Sequence, residues 1–392
     1  MASYYIYSIL GYIINKRKVV ECSMKTKLLN ALYYGVLQAL TILTATVLVG
    51  GLAGISIPTV LFGTGLATIV FTLVTKGRVP IAQGSSGAWL GTAIAMSAYG
   101  LDHIVGVTVL GAIFYVAFGL LIKKFPKILS VFTPYVLNLA VLMIALSLVQ
   151  TAVGLITTHP ITAVVTIIGI LLASFTKVEK FAFPIGIIAG TVVHGILYGL
   201  SSTMGGAFIP TLVFPAINST TLLASFAFIG ICCEALGDSK YVCEVIGTEY
   251  KPDEVIIGNG LASLCSGLFG MMPTTTYSES CGLVKATGYA SGLSIIICGI
   301  IYLLAAFIPQ VSYVINLIPS AALSGMLLYL FSMVATQKIH EIKLEDKHSV
   351  SVGIIGISAF FAAPALFPSV SSIAVGMIAM IITHLGLKLI KK

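Results

Sequence analysis

The feature that leaves this chain least freedom is a recurring apolar run of about 20 residues, the length that crosses a hydrocarbon core as an α-helix. Such runs follow one another almost to the C-terminus, at about 28–50, 55–75, 79–98, 103–122, 128–149, 160–176, 182–200, 222–240, 255–270, 273–289, 291–309, 317–336, 348–363 and 366–387. Hydrocarbon offers the backbone no hydrogen-bond partners, so a spanning segment must be a helix or a strand of a closed barrel. Barrel strands would alternate in polarity over roughly 10 residues, and these runs are longer and do not alternate. The expected fold is an all-α membrane protein of about fourteen transmembrane segments. Composition agrees, with 9% of residues charged and 58% hydrophobic and a mean hydropathy of +1.08; soluble domains carry about 25% charge. No stretch is left for a separate soluble domain. The seven cysteines fall mostly inside the runs, where a thiol is a small hydrophobe. Their spacing suggests neither a disulfide framework nor a metal site, so no metal and no organic cofactor is expected.

The net charge of +8 describes topology rather than nucleic-acid binding. All 21 Lys and Arg residues lie ahead of the first run or at every second connection, and the intervening connections near 51–54, 99–103, 150–159, 201–221, 271–272, 310–316 and 364–365 have none. The positive-inside rule then places both termini in the cytoplasm, in a multi-pass protein of the inner or plasma membrane. Residues 1–27 form an N-terminal cytoplasmic leader or extension. Within it Tyr4–Ile14 is too short to span and is followed, not preceded, by Lys16, Arg17 and Lys18, the reverse of a cleaved signal. Met24 stands just ahead of the first run, so residues 1–23 read as an upstream extension or a surface-lying segment.

The chain also resembles itself. Gly63-Thr64-Gly65-Leu66-Ala67-Thr68 returns about half a chain later as Gly258-Asn259-Gly260-Leu261-Ala262-Ser263. Each copy precedes a proline and a polar cluster, Pro80 with Gln83-Gly84-Ser85-Ser86-Gly87 in the first and Pro273 with Thr274-Thr275-Thr276-Tyr277-Ser278-Glu279-Ser280 in the second. An odd number of segments separates the copies, which inverts their orientation. The expected organisation is two inverted seven-span repeats, 28–200 and 222–392, an arrangement found in many secondary transporters. Small residues also recur wherever membrane helices pack closely. The proline and polar clusters mean that segments 3 and 10 are broken, with partly extended backbone, which a bilayer tolerates only where protein buries it or a cavity adjoins it. Half-helices resuming near Ser86 and Glu279 would aim their free N–H groups and positive dipole ends at a ligand.

Most acidic residues belong to the polar connections, leaving Glu234, Asp238 and Glu279 at membrane depth. A carboxylate there costs at least ~2.5 kcal/mol, so it persists only when neutralised, paired or used. Such an acid either ties helices together or binds a ligand and carries a proton, and Glu234 and Asp238 are the proton-coupling candidates. His194 and His384 read as packed, hydrogen-bonded histidines. Trp89 is either a pocket aromatic or a packing ring.

These elements resemble the nucleobase/ascorbate transporter family of uracil and xanthine permeases, over about Gln38 to Thr336. The segment Thr274–Gly282 with Thr287-Gly288 is similar to the family signature on the tenth segment, Glu234-Ala235-Leu236-Gly237-Asp238 to its eighth-segment element, Arg78–Ser86 to its third, and Gln38 to the glutamine of its first. The resemblance implies fourteen spans divided into core and gate domains, the core holding segments 1–4 and 8–11. It implies a nucleobase between segments 3 and 10, contacted by Glu234, Glu279, Ser278, Gly87, Ser86, Trp89 and Gln38, with uptake by alternating access coupled to H⁺ or Na⁺ and a homodimer formed through the gate domains. Departures are Ser280 in place of an Asn, Gly87 in place of a frequent aromatic, and Ala235 and Ala39 where histidines are common. Both purine or xanthine and uracil stay open. A sulfate-permease-like anion transporter of the same fold is the main rival, and two acids beside the site would repel an anion. An intramembrane enzyme would need a clustered catalytic set, which is not evident.

Overall fold

The computed structural model describes residues 24–200, 207–342, 346–366 and 371–390. The expected leader at 1–23 lies outside the described residues. The first half runs α1 (Met24–Leu52), α2 (Ile57–Val74), strand β1 (Gln83–Ser85), a 3-10 turn (Gly87–Trp89) leading into α3 (Leu90–Ser97), α4 (Leu101–Lys124), α5 (Pro134–Ile156), α6 (Pro160–Ser174) and α7 (Ala182–Tyr198). The second half runs α8 (Ser219–Ser225), α9 (Phe228–Ile246), α10 (Pro252–Gly267), strand β2 (Thr274–Thr276), α11 (Ser278–Thr287), α12 (Gly292–Ala306), α13 (Pro309–Asn316), α14 (Ser320–Glu341), α15 (Lys347–Leu366) and α16 (Ser372–Ile390).

Among the described residues, eight helices are long and apolar enough to cross a membrane, or nine if α12 and α13, bent by 88°, count as one broken span. This is an all-α membrane architecture with one local exception, a two-stranded antiparallel sheet of three residues per strand. All fourteen apolar runs coincide with an element. Of the six outside the long set, two are a strand followed by a half-helix, because a run interrupted by proline and polar residues cannot keep its i→i−4 ladder, and the others are continuous helices of 15–17 residues. Two boundaries are corrected. The fifth run becomes helical at Pro134 rather than 128, after a 3-10 turn over Pro126–Val131. The connection read as a loop at 310–316 is the short helix α13.

Local chemistry sets the helix ends. Proline occupies the first turn of α2, α5, α6, α10 and α13, where its missing N–H costs nothing. Gly247 and Gly288 close α9 and α11 in the left-handed region, at φ 70° and 64°, a conformation that a Cβ would strain. The two glycine-rich repeats bring helices together. A Cβ on Gly65 of α2 would lie 2.5 Å from the Gly299 carbonyl of α12, and one on Gly260 of α10 would lie 3.1 Å from the Ala112 carbonyl of α4. Each copy thus lets its helix press against backbone, which is where membrane helices obtain van der Waals cohesion.

Candidate functional site

The two broken segments meet. β1 and β2 pair antiparallel with Gln83 opposite Thr276, Gly84 opposite Thr275 and Ser85 opposite Thr274. Beyond the strands the bonds continue reciprocally: Ser86 N–H donates to the Pro273 carbonyl at 2.9 Å, and Tyr277 N–H to the Ala82 carbonyl at 3.3 Å. The last residue of each repeat holds its own strand. The Thr68 hydroxyl accepts from Gln83 N–H at 3.1 Å and donates to its carbonyl at 3.2 Å, and the Ser263 hydroxyl does the same to Thr274 at 3.0 and 3.2 Å. The helices resume at Gly87 and Ser278, and the first N–H groups of each have no partner within their own helix.

Beside this crossing, α9 presents two carboxylates one turn apart. Glu234 accepts from the Ser86 hydroxyl at 3.5 Å. Asp238 accepts from the Ser278 hydroxyl at 2.7 Å and the Thr276 hydroxyl at 3.2 Å. One acid therefore holds each broken segment. Glu279 stands in the first turn of α11, where the helix dipole favours negative charge. Glu234, Asp238, Ser278, Glu279 and Gly87 line one cavity of about 580 Å³. Its other wall comes from α5 and α14 and is mostly apolar, including Ile144, Ala145, Leu327 and Phe331, with Asn138, Gln337, Lys338 and Glu341 as its polar part.

Ser86 reaches the site through Glu234. Gln38 stands behind it: its carboxamide accepts from the Ser280 hydroxyl at 2.7 Å, which in turn accepts from Ala82 N–H at 3.0 Å. Gln38 and Ser280 thus brace the crossing. Trp89 is corrected from pocket aromatic to packing ring. At 1% exposure it lines a small space with Val107, Tyr115 and Phe228 and is not among the residues that line the cavity. Gly87 faces the opposite wall, where a Cβ would meet Leu148 Cδ1 at 3.1 Å.

Tyr277, Phe331 and Lys338 line the cavity without having been singled out as site residues. Tyr277 belongs to the polar cluster, and its ring is fixed by a hydrogen bond from its hydroxyl to the Ser85 carbonyl at 2.8 Å. Phe331 and Lys338 lie on α14, whose sequence reads only as an apolar span ending in basic residues.

Residues 29–368 match the sequence model of the Permease family, Xan_ur_permease. The chain belongs to that family. This permease is 28% identical to the putative pyrimidine permease RutG of Escherichia coli (strain K12) over 77% of its own length and 75% of the relative's. It is 28% identical to the uracil permease of Bacillus subtilis (strain 168), covering 74% and 75%, and 25% identical to the putative purine permease CPE0397 of Clostridium perfringens (strain 13 / Type A), covering 84% and 81%. Among solved structures, the transmembrane domain of a cyanobacterial bicarbonate transporter, BicA, superposes with a TM-score of 0.69 at 17% identity, over 91% of this chain and 97% of that one. The permease therefore shares that transporter fold, and like its named relatives it is a transporter and not an enzyme.

Proposed function

We propose that this permease takes up a nucleobase, a purine such as xanthine or a pyrimidine such as uracil, by symport with a cation, to be tested first as a proton. The observation that carries the proposal is the convergence of two half-helix starts, at Gly87 and Ser278, with Glu234 and Glu279 on one cavity of about 580 Å³. A nucleobase is planar and uncharged and bears N–H donors beside carbonyl acceptors. Glu234 and Glu279 can accept from its N–H groups, and the backbone N–H groups at the half-helix starts can donate to its carbonyls. A proton taken up by Glu234 or Asp238 offsets the cost of a carboxylate in a site emptied of water, which links substrate binding to protonation.

The transport cycle we infer rests on fourteen spans in two inverted repeats. The reciprocal bonds across β1 and β2, and the equivalent work of Thr68 and Ser263, support that symmetry. In this reading α1–α4 and α8–α12 form a core carrying the polar site, and α5–α7 with α14–α16 form a gate supplying the apolar wall and a homodimer contact. The cavity lining includes Lys240, Lys285 and Lys338, so under the positive-inside rule we read it as facing the cytoplasm of a cell-membrane protein with both termini inside. The fold shared with a bicarbonate transporter keeps an anion carrier as the rival, and the carboxylates of Glu234, Asp238 and Glu279 beside the half-helix starts weigh against it. The test is thermal stabilisation and radiolabelled uptake with purified protein, using uracil, xanthine, guanine, hypoxanthine, urate and sulfate at two pH values, with and without sodium. Stabilisation by a nucleobase and uptake that rises with an inward proton gradient are expected; a response to sulfate alone overturns the assignment.

A further inference from the structure

The walls of the cavity differ in charge. Glu234, Asp238 and Glu279 stand on the wall built by α9 and α11. Lys240 and Lys285 belong to the same two helices, so they accompany the acids in any rigid movement of that wall. Lys240 is also drawn to Glu244, at 3.9 Å, and Lys285 lies over the Tyr241 ring at 5.7 Å. Among the described cavity-lining residues, the opposite wall carries one cation, Lys338 in the last turn of α14, with Glu341 beside it at the end of the same helix. It rests in a shallow cradle, donating to Glu341 Oε2 at 2.6 Å and to Asn138 Oδ1 of α5 at 3.4 Å. Its side chain is 23% exposed, and it lines the same cavity as Asp238.

An empty site presents Glu234, Asp238 and Glu279 to a space that must close before the carrier can return, and closing it strips away their water. We propose that Lys338 is the positioning residue that neutralises the empty site: its ammonium leaves Glu341 and Asn138, crosses to Asp238, and stands in for the cation that accompanies the substrate. The flexible four-carbon stem of lysine suits a charge that changes partners. A cation fixed to the opposite wall links neutralisation to the approach of the two walls, which a cation on α9 or α11 would not do. The inference rests on the alternating-access reading above and assigns a residue to its return step.

Two measurements test it. The first needs no substrate: the Tm of the purified empty protein is read for Lys338→Met, Asp238→Asn and the double variant, with Glu341→Gln in place of Asp238→Asn as the control for the cradle. Non-additive shifts for the Lys338 and Asp238 pair are expected; additive shifts, with coupling confined to Glu341, overturn the proposal. The second compares net uptake with exchange between loaded faces in proteoliposomes, since only net uptake needs the empty carrier to return. Lys338→Met should lower net uptake several-fold more than exchange, with Lys338→Arg restoring the ratio. An equal fall in both, or no fall, overturns the proposal. Coupling between Lys338 and Asp238 in a protein that moves no nucleobase would instead count against the substrate reading.

Discussion

At the residue scale, the acids do unequal work. Asp238 is committed to two hydroxyls of the second broken segment, Glu234 holds one hydroxyl at 3.5 Å, and Glu279 lines the cavity from the start of α11. A hydrogen bond to a charged group contributes about 1.5–3 kcal/mol, so Glu279→Gln and Glu234→Gln should each weaken nucleobase binding roughly ten- to a hundred-fold with expression retained, read by titration calorimetry or thermal shift. Asp238→Ala removes the acceptor for Ser278 and Thr276 and should lower Tm as well as uptake. Unaltered uptake in Glu279→Gln would remove that residue from the site. These acids were legible as unusual from their position in apolar runs, because charge at membrane depth demands a reason. Their division of labour was not, because it depends on which hydroxyl the fold brings within reach of each.

At the element scale, the crossing strands depend on matched supports. Thr68 and Ser263 each satisfy both polar groups of a strand residue, and leaving a buried backbone group unpaired costs about 1–3 kcal/mol. Thr68→Val and Ser263→Ala should therefore destabilise by similar amounts, seen as comparable falls in Tm; a large fall in one with none in the other would contradict their equivalence. Gly84 shows why the strand must approach so closely: a Cβ there would stand 2.3 Å from the Tyr277 ring and 2.8 Å from Thr46 Oγ1. Gly84→Ala should lower stability by about 1–3 kcal/mol through overpacking and displace Tyr277 from the cavity, measured as lost folded yield and lost base-induced stabilisation. The broken segments could be anticipated from Pro80, Pro273 and the polar residues after them. The antiparallel register could not, since a three-residue strand carries almost no periodic signal.

At the scale of the whole molecule, a polar wall of α9 and α11 faces a mostly apolar wall of α5 and α14 across one cavity. Gly282 lines that cavity with open space where a Cβ would stand. A cysteine there, in a protein whose native cysteines are replaced, should react with an impermeant thiol reagent from the cytoplasmic face and be protected by bound nucleobase. Reaction from the external face alone would reverse the assigned orientation.

Read by itself, the sequence determined that the chain is a helical membrane protein, which segments break, where acids sit at membrane depth, and that two stretches repeat. Each of these follows from the cost of placing polar backbone or charge in hydrocarbon, a cost set by local composition. Only the tertiary structure decided that Trp89 packs behind the site while Tyr277 and Phe331 line it, and that Gln38 braces Ser280 instead of lining the cavity. It also places Lys338 and Asp238 on one cavity. The direction of a side chain and its partner from a distant helix depend on how the helices assemble, and no single segment holds that information.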